Sequence, residues 1–293
     1  MKLYVALASL ACTLSTVSCQ KDTVSSKKDT ASRQEAKVVA PEGYRLVWSD
    51  EFNVDGPPDP KSWGYEEGLV RNKEAQLFTR ENAFCESGLL ILEARRETVA
   101  NPNHDPKSKD WRRSRSEAQY TSASLLTKGK HAWTYGRFEI RGRIDTRTGL
   151  WPAFWTLGSA REWPSCGEVD IMEFYRGKLL ANACWGTKRR WVPAWDSERT
   201  PITDPEWSKQ FHVWRMDWDK KTIRLYVDDK LLNTIELEKT VNPDAERSNP
   251  FHEPQYMLLT LAIGGTNGGD PKGTKFPARV EVDYVRVFQR TED

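Results

Sequence analysis

From Tyr44 onward, apolar and polar residues alternate in short runs separated by turn residues. Segments 44–48, 88–94, 136–143, 222–227, 256–263 and 280–288 are rich in Val, Ile, Leu and aromatics at a period of two. That period sends successive side chains to opposite faces of a β-strand. Turn signals divide the runs at Glu86-Ser87-Gly88, at Asp228-Asp229 and through the glycine-rich stretch 264–269. Charged residues alternate through 138–143, as they do in a sheet with one wet face. No long amphipathic helix stands out beyond a helical turn near 204–210, and there is no internal repeat. The pattern predicts a single all-β domain, a sandwich or jelly roll, over 41–293.

The first forty residues depart from this pattern. Lys2 precedes an apolar run at 3–17, too short to cross a membrane as a helix but suited to the core of a secretory signal. The run ends at Ser18-Cys19. This resembles a bacterial lipoprotein signal, in which the cysteine is lipidated and becomes the new N-terminus. Residues 1–19 are therefore expected to be a signal and Cys19 its lipidation site. The alternative is an ordinary secretory signal. Either way the chain is expected to leave the cytoplasm, held at the bacterial cell envelope (outer membrane or cell surface) by lipid alone, or secreted. Segment 20–40 is polar and rich in Ser, Thr and Lys, as in a flexible tether.

Composition narrows the function. The chain has 293 residues, 38% hydrophobic and 29% charged, which is globular. Its formal charge is +2, but Lys2 and segment 20–40 hold six basic and three acidic residues, leaving 38 basic and 39 acidic in 41–293. The whole-domain basic field of a nucleic-acid binder is excluded. Four His argue against a histidine-built metal centre, and thirteen Trp offer flat apolar faces for stacking. Cys85, Cys166 and Cys184 cannot all pair and show no C-x-x-C spacing, so they read as small buried residues.

The most informative stretch is 163–175. Glu168 and Asp170 are two apart and share a strand face, whereas Glu173 has the wrong parity. One extra residue at Ile171-Met172, a β-bulge, would return Glu173 to that face. Two glutamates leaning together there can close to the roughly 5 Å used by retaining glycosidases. Crowding a third carboxylate between them should raise at least one pKa, as a general acid at neutral pH requires. Upstream, Trp151 and Trp155 share parity while Phe154 faces the other way. Indole can stack on the apolar face of a sugar ring while polar neighbours bind its hydroxyls.

With these features in place, the sequence resembles glycoside hydrolase family 16, its laminarinase-like branch, over about 42–288. The matching segments are WSDEF at 48–52, NKEAQ at 72–76, YTSAS at 120–124, YGRFE at 135–139, GLWPAFW at 149–155, GEVDIMEF at 167–174, FHVW at 211–214 and VDYVRV at 282–287. The resemblance implies a curved β-jelly-roll sandwich with a concave substrate cleft, endo action and retention of configuration, in a monomer needing no catalytic cofactor. It implies Glu168 as nucleophile, Glu173 as general acid/base and Asp170 as the keeper of their proton balance. Asn72, Trp151, Trp155 and Trp163 fall where the family lines its glycone subsites, and Trp185 is grouped with substrate binding. A structural calcium is implied on the convex side, held by the backbone carbonyls of Glu51 and Gly88 and the side chain of Asp283.

Two departures leave the substrate open. No His occurs in 180–185, where many laminarinases carry one near the aglycone, and Thr260 stands where Asn is common. The loop 188–195 is basic and aromatic, and a basic insertion at 101–117 reads as a cleft-edge loop. The expected partner is a polysaccharide or glycan. β-1,3- or mixed-linkage β-glucan leads, and an endo-β-galactosidase acting on mucin-type O-glycans or N-acetyllactosamine chains is the alternative. A non-catalytic glycan-binding surface protein would keep the tryptophans and lose a carboxylate; both glutamates are present.

Overall fold

The computed structural model describes residues 38–291. The expected signal, Cys19 and all but the last three residues of the tether lie outside the described residues. The alternating runs form two large antiparallel sheets, as the pattern predicts. One sheet takes, in order, Lys230–Glu236, Thr222–Val227, His212–Trp218, Gly136–Ile144, Ala278–Arg290, Leu89–Ala94 and Ala83–Glu86, with Tyr44–Asp50 also paired to Ala278–Arg290. The other runs Pro193–Pro201, Lys178–Gly186, Glu168–Tyr175, Leu150–Gly158, Gln255–Ile263, Ser124–Leu126 and Gly64–Tyr65. The result is a jelly-roll sandwich. The two α-helices among the described residues have four residues each, and a 3-10 turn at Trp207–Lys209 falls within the expected helical turn.

Period two explains the layering. In Gly136–Ile144, Phe138, Ile140 and Ile144 are buried while Arg137, Arg141 and Arg143 reach acids across the strands. Such half-exposed pairs each contribute little; the core between the sheets supplies most of the stability. That core joins Phe138, Trp214 and Met216 of one sheet to Phe154, Val169, Met172 and Phe174 of the other. Phe154 meets Trp214 edge-on across the layers, with ring centroids 5.3 Å apart. Cys85, Cys166 and Cys184 are free and buried.

The positions expected to hold calcium converge on the first sheet. Ala278–Arg290 pairs with Leu89–Ala94 as far as Val282 and with Tyr44–Asp50 from Val285. Asp283 therefore sits between the start of one partner, just after Gly88, and the end of the other, just before Glu51. The Asp283 carboxylate accepts from Arg141 at 2.6 Å, and Arg286 grips the Glu51 carboxylate at 2.8 and 2.9 Å. Among the described residues, no group of three or more His, Cys, Asp or Glu side chains could hold a metal.

Candidate active site

The bulge lies where parity requires it. Asp170 faces Asn182 and Glu173 faces Leu180 on the next strand, so three residues advance on one side against two on the other. Glu168, Asp170 and Glu173 consequently line one cavity of about 470 Å³, while Val169, Met172 and Phe174 enter the core. Gly167 makes the turn into Glu168 with φ 76°, and a β-carbon there would lie 2.8 Å from that of Pro250. Only glycine takes that conformation without strain in so close a space.

Each glutamate is held by an indole. Trp163 donates from Nε1 to Glu168 Oε2 at 2.7 Å, and Trp151 donates from Nε1 to Glu173 Oε1 at 2.7 Å. The Asn182 amide donates to both Glu173 Oε2 at 3.1 Å and Asp170 Oδ2 at 3.2 Å, and Ser197 donates in turn to Asn182. Burial raises all three carboxyl pKa values. Glu173 is pushed up to about 7 by burial and then by the Glu168 charge, with Trp151 and Arg199 pulling the other way. Asp170 rises well above its ordinary value, through burial and then the charges of Glu173 and Glu168. Glu168 rises through burial, opposed by the Trp163 N–H, the Arg71 charge and a hydrogen bond from Asp170. Such a site can keep one carboxyl protonated beside another that is ionised.

The tryptophans differ from the expected platform. Trp151 and Trp155 do share the cleft face, but they are only 7% and 8% exposed. Trp155 donates to Thr260 Oγ1 at 3.0 Å, and the Arg71 guanidinium lies over its ring at 5.0 Å from the centroid. Its stacking face is already covered, and Thr260 has a hydrogen-bonding role of its own. Half-buried Trp163 and exposed Asn72 line the cavity as expected, with Asn72 at φ 54° and donating to Glu74. Trp185 is corrected: its parity is opposite to that of Cys184, which sits across from Glu168, and its side chain packs on the core.

Four features escaped the list of expected site residues. Asn182 is a polar residue inside an apolar alternating run, and that interruption was its signal. Arg71, ion-paired to Glu66, precedes Asn72 directly. Glu74 is a buried fourth carboxyl on the cavity wall, accepting from Gln76 at 2.8 Å. The exposed Trp191 and Trp195, at 51% and 46%, come from the loop read only as basic and aromatic. In the basic insertion, Arg112 lines the cavity and Arg115 ties the segment to the carbonyls of Glu74 and Ala75. A second space of about 410 Å³ adjoins the first and shares Asn72, Trp151, Glu168 and Glu173. Tyr175, Asn182, Trp195, Ser197, Arg199 and Asn267 complete its walls.

Known proteins resemble this chain over most of its length. The family model of glycosyl hydrolases family 16 matches residues 73–286. A β-glucanase of Rhodothermus marinus is 39% identical over 275 residues, covering 85% of this chain and 86% of that protein. A solved structure from work on endo-acting O-glycanases, expressed by prominent members of the human gut microbiota to initiate mucin breakdown, is 35% identical. It superposes with a TM-score of 0.80 over 86% of this chain and 93% of its own. The solved laminarinase of Rhodothermus marinus is 37% identical, with a TM-score of 0.69 over 85% and 98%.

Proposed function

The chain belongs to glycosyl hydrolase family 16, and on that premise we propose that it is a retaining, endo-acting hydrolase of β-glucan, β-1,3- or mixed-linkage. One observation carries the mechanism: the bulge sets two indole-held glutamates on one face, with Asp170 between them. Burial and the flanking charges favour the protonated form of Asp170, and its hydrogen bond to Glu168 in turn favours the ionised nucleophile. The Glu168 carboxylate attacks the anomeric carbon, and protonated Glu173 gives its proton to the departing glycosidic oxygen. The bond from carbon to leaving oxygen breaks as the glycosyl ester forms. Glu173, now ionised, takes a proton from water; the water oxygen attacks the same carbon, and the ester releases Glu168.

A second reading is an endo-β-galactosidase acting on mucin-type O-glycans. It is favoured by the TM-score of 0.80 to the O-glycanase-study structure beside 0.69 to the laminarinase. Product analysis on β-1,3-glucan, mixed-linkage β-glucan, mucin O-glycans and keratan chains separates the two. Large internal fragments from the glucans support the first reading, and release from the galactose-containing chains alone overturns it.

Two further parts of the proposal concern a metal and a lipid anchor. A structural calcium would use the carbonyls of Glu51 and Gly88 and the Asp283 carboxylate, displacing Arg141. These are the oxygen donors a hard cation takes. A Tm that rises with calcium and falls with chelator supports it, and no change overturns it. Lipid on Cys19 would hold the enzyme at the cell envelope. Cys19→Ala should then move it from the membrane fraction to the soluble one, whereas an already soluble wild type overturns the anchor.

A further inference from the structure

The register continues the active-site rows outward across two more strands. Glu168 faces Cys184, which faces Trp195; Asp170 faces Asn182, which faces Ser197; Glu173 faces Leu180, which faces Arg199. Trp195, Ser197 and Arg199 share one parity on the edge strand Pro193–Pro201 and wall the second space. Two strand spacings put Arg199 on the order of 10 Å from Glu173. A glycan chain crossing the carboxylates toward that edge passes beneath it.

Three arginines line the two spaces. Arg71 is paired with Glu66 and Arg112 with Asp110. Arg199 is exposed and, among the described residues, has no acid within ion-pair distance and no side-chain hydrogen bond. The carboxyl it influences most clearly is Glu173, which must lose and regain a proton in each cycle and so is no constant counter-ion. A guanidinium presents five donors and no acceptor. A hydroxyl rim uses only part of that capacity, whereas a sulfate ester or a carboxylate takes two parallel bonds and the charge. The neighbouring Trp195 indole, half open to solvent, offers a face for the ring that carries the group.

Resting on the glycosidase reading above, we propose that the part of the cleft over Pro193–Pro201 is a subsite for a sugar bearing an anionic substituent. Arg199 binds the anion and Trp195 stacks on the ring. The natural substrate class is then a sulfated or carboxylated β-linked chain, or one decorated that way at intervals.

The test uses matched laminari-oligosaccharides and N-acetyllactosamine chains, each unmodified, 6-O-sulfated, or oxidised at carbon 6 to the carboxylate. The readout is the ratio of kcat/KM for charged over neutral chains. For the wild type it should be about tenfold or more at low salt, the factor expected for one charge-assisted hydrogen bond. It should shrink at high salt, collapse toward one in Arg199→Gln and survive in part in Arg199→Lys. Bound anion should also cancel the Arg199 charge felt by Glu173, moving the alkaline limb of kcat upward for the charged chains only. Gain in the sulfated arm alone assigns a sulfate ester, and gain in both arms admits uronates. Neutral chains cleaved with a wild-type ratio near one, or a ratio unchanged in Arg199→Gln, overturn the subsite and leave the glycosidase standing. No cleavage of any chain overturns both.

Discussion

The two halves of the cleft are built on opposite terms. Over Leu150–Gly158 and Gln255–Ile263, the polar side chains that line the cavity, Trp151, Trp155 and Thr260, already have partners within the protein. Trp155 is bonded to Thr260 and covered by Arg71, Arg71 is paired with Glu66, and Trp151 is bonded to Glu173. Over Pro193–Pro201, Ser197 is bonded to Asn182 but the two largest groups facing the second space are open: Trp195 is 46% exposed and Arg199 lacks a counter-ion among the described residues. A side chain bonded internally cannot reorient to suit a ligand, but it fixes what it holds. One left open contributes little to the fold and is available to a ligand. Chemistry therefore belongs with the first half and recognition with the second, as a preorganised site on a rigid element requires.

The strongest challenge to this division is removal of the chemistry. Glu168→Gln should abolish turnover on polymer, because the amide cannot form the ester. Glu173→Gln should cost about 10²–10⁴-fold through lost proton transfer. It should recover on substrates whose leaving group needs no proton. Wild-type rates on polymer in both variants would move the site elsewhere. Next in size is Trp155→Ala. With Trp155 8% exposed and partnered on face and edge, truncation should cost about 3–5 kcal/mol of stability and lower Tm well before KM changes. A raised KM with unchanged Tm would mean that this indole is an open platform after all.

The burial of Trp155 shows what the sequence could and could not disclose. Strand parity is local, so the layering, the facing of Phe154 and the need for a bulge at Ile171-Met172 were legible from spacing alone. Which tryptophans are free is not local. Trp151 and Trp155 read as a platform by parity, but whether an indole face is open depends on Arg71 arriving from a loop some eighty residues earlier. Trp185 failed for a related reason: an aromatic near the site in sequence belongs to it only if its parity matches that of Cys184. Asn182 showed only as a polar interruption of an apolar run; its role arises from cross-strand register with Asp170, which that strand alone does not record.

The cost of holding carboxyls in the closed half should appear as a pH-dependent stability. Glu173 has a folded pKa of about 7 against an ordinary value of 4.5. The folded state thus binds this proton more tightly than the unfolded one. Its contribution is fully present below about 4.5 and is lost as pH rises through about 7. Removing the ionisable group should stabilise the protein at pH 8 by about 3 kcal/mol and hardly at all at pH 4. The measurement is Tm of Glu173→Gln minus wild type across that range. A difference independent of pH would show that Glu173 does not titrate between those limits.

The smallest expected effect is the one that separates the halves most cleanly. Trp195 lies on an edge strand, and neither its ring nor its indole N–H has a partner among the described residues. Truncation to alanine should change stability by no more than about 0.5 kcal/mol, as for a surface substitution away from special features. The same change should weaken oligosaccharide binding by about 1 kcal/mol, roughly fivefold in KM, if a ring stacks there. kcat should stay close to wild type on long chains, because a contact made equally in ground and transition states alters KM alone. Chains too short to reach Pro193–Pro201 should not register the substitution at all. Trp155→Ala should give the converse pattern, a large fall in Tm whatever the chain length. If Trp195→Ala lowers Tm as much as Trp155→Ala does, or affects short and long chains alike, the edge strand belongs to the rigid half and the division fails.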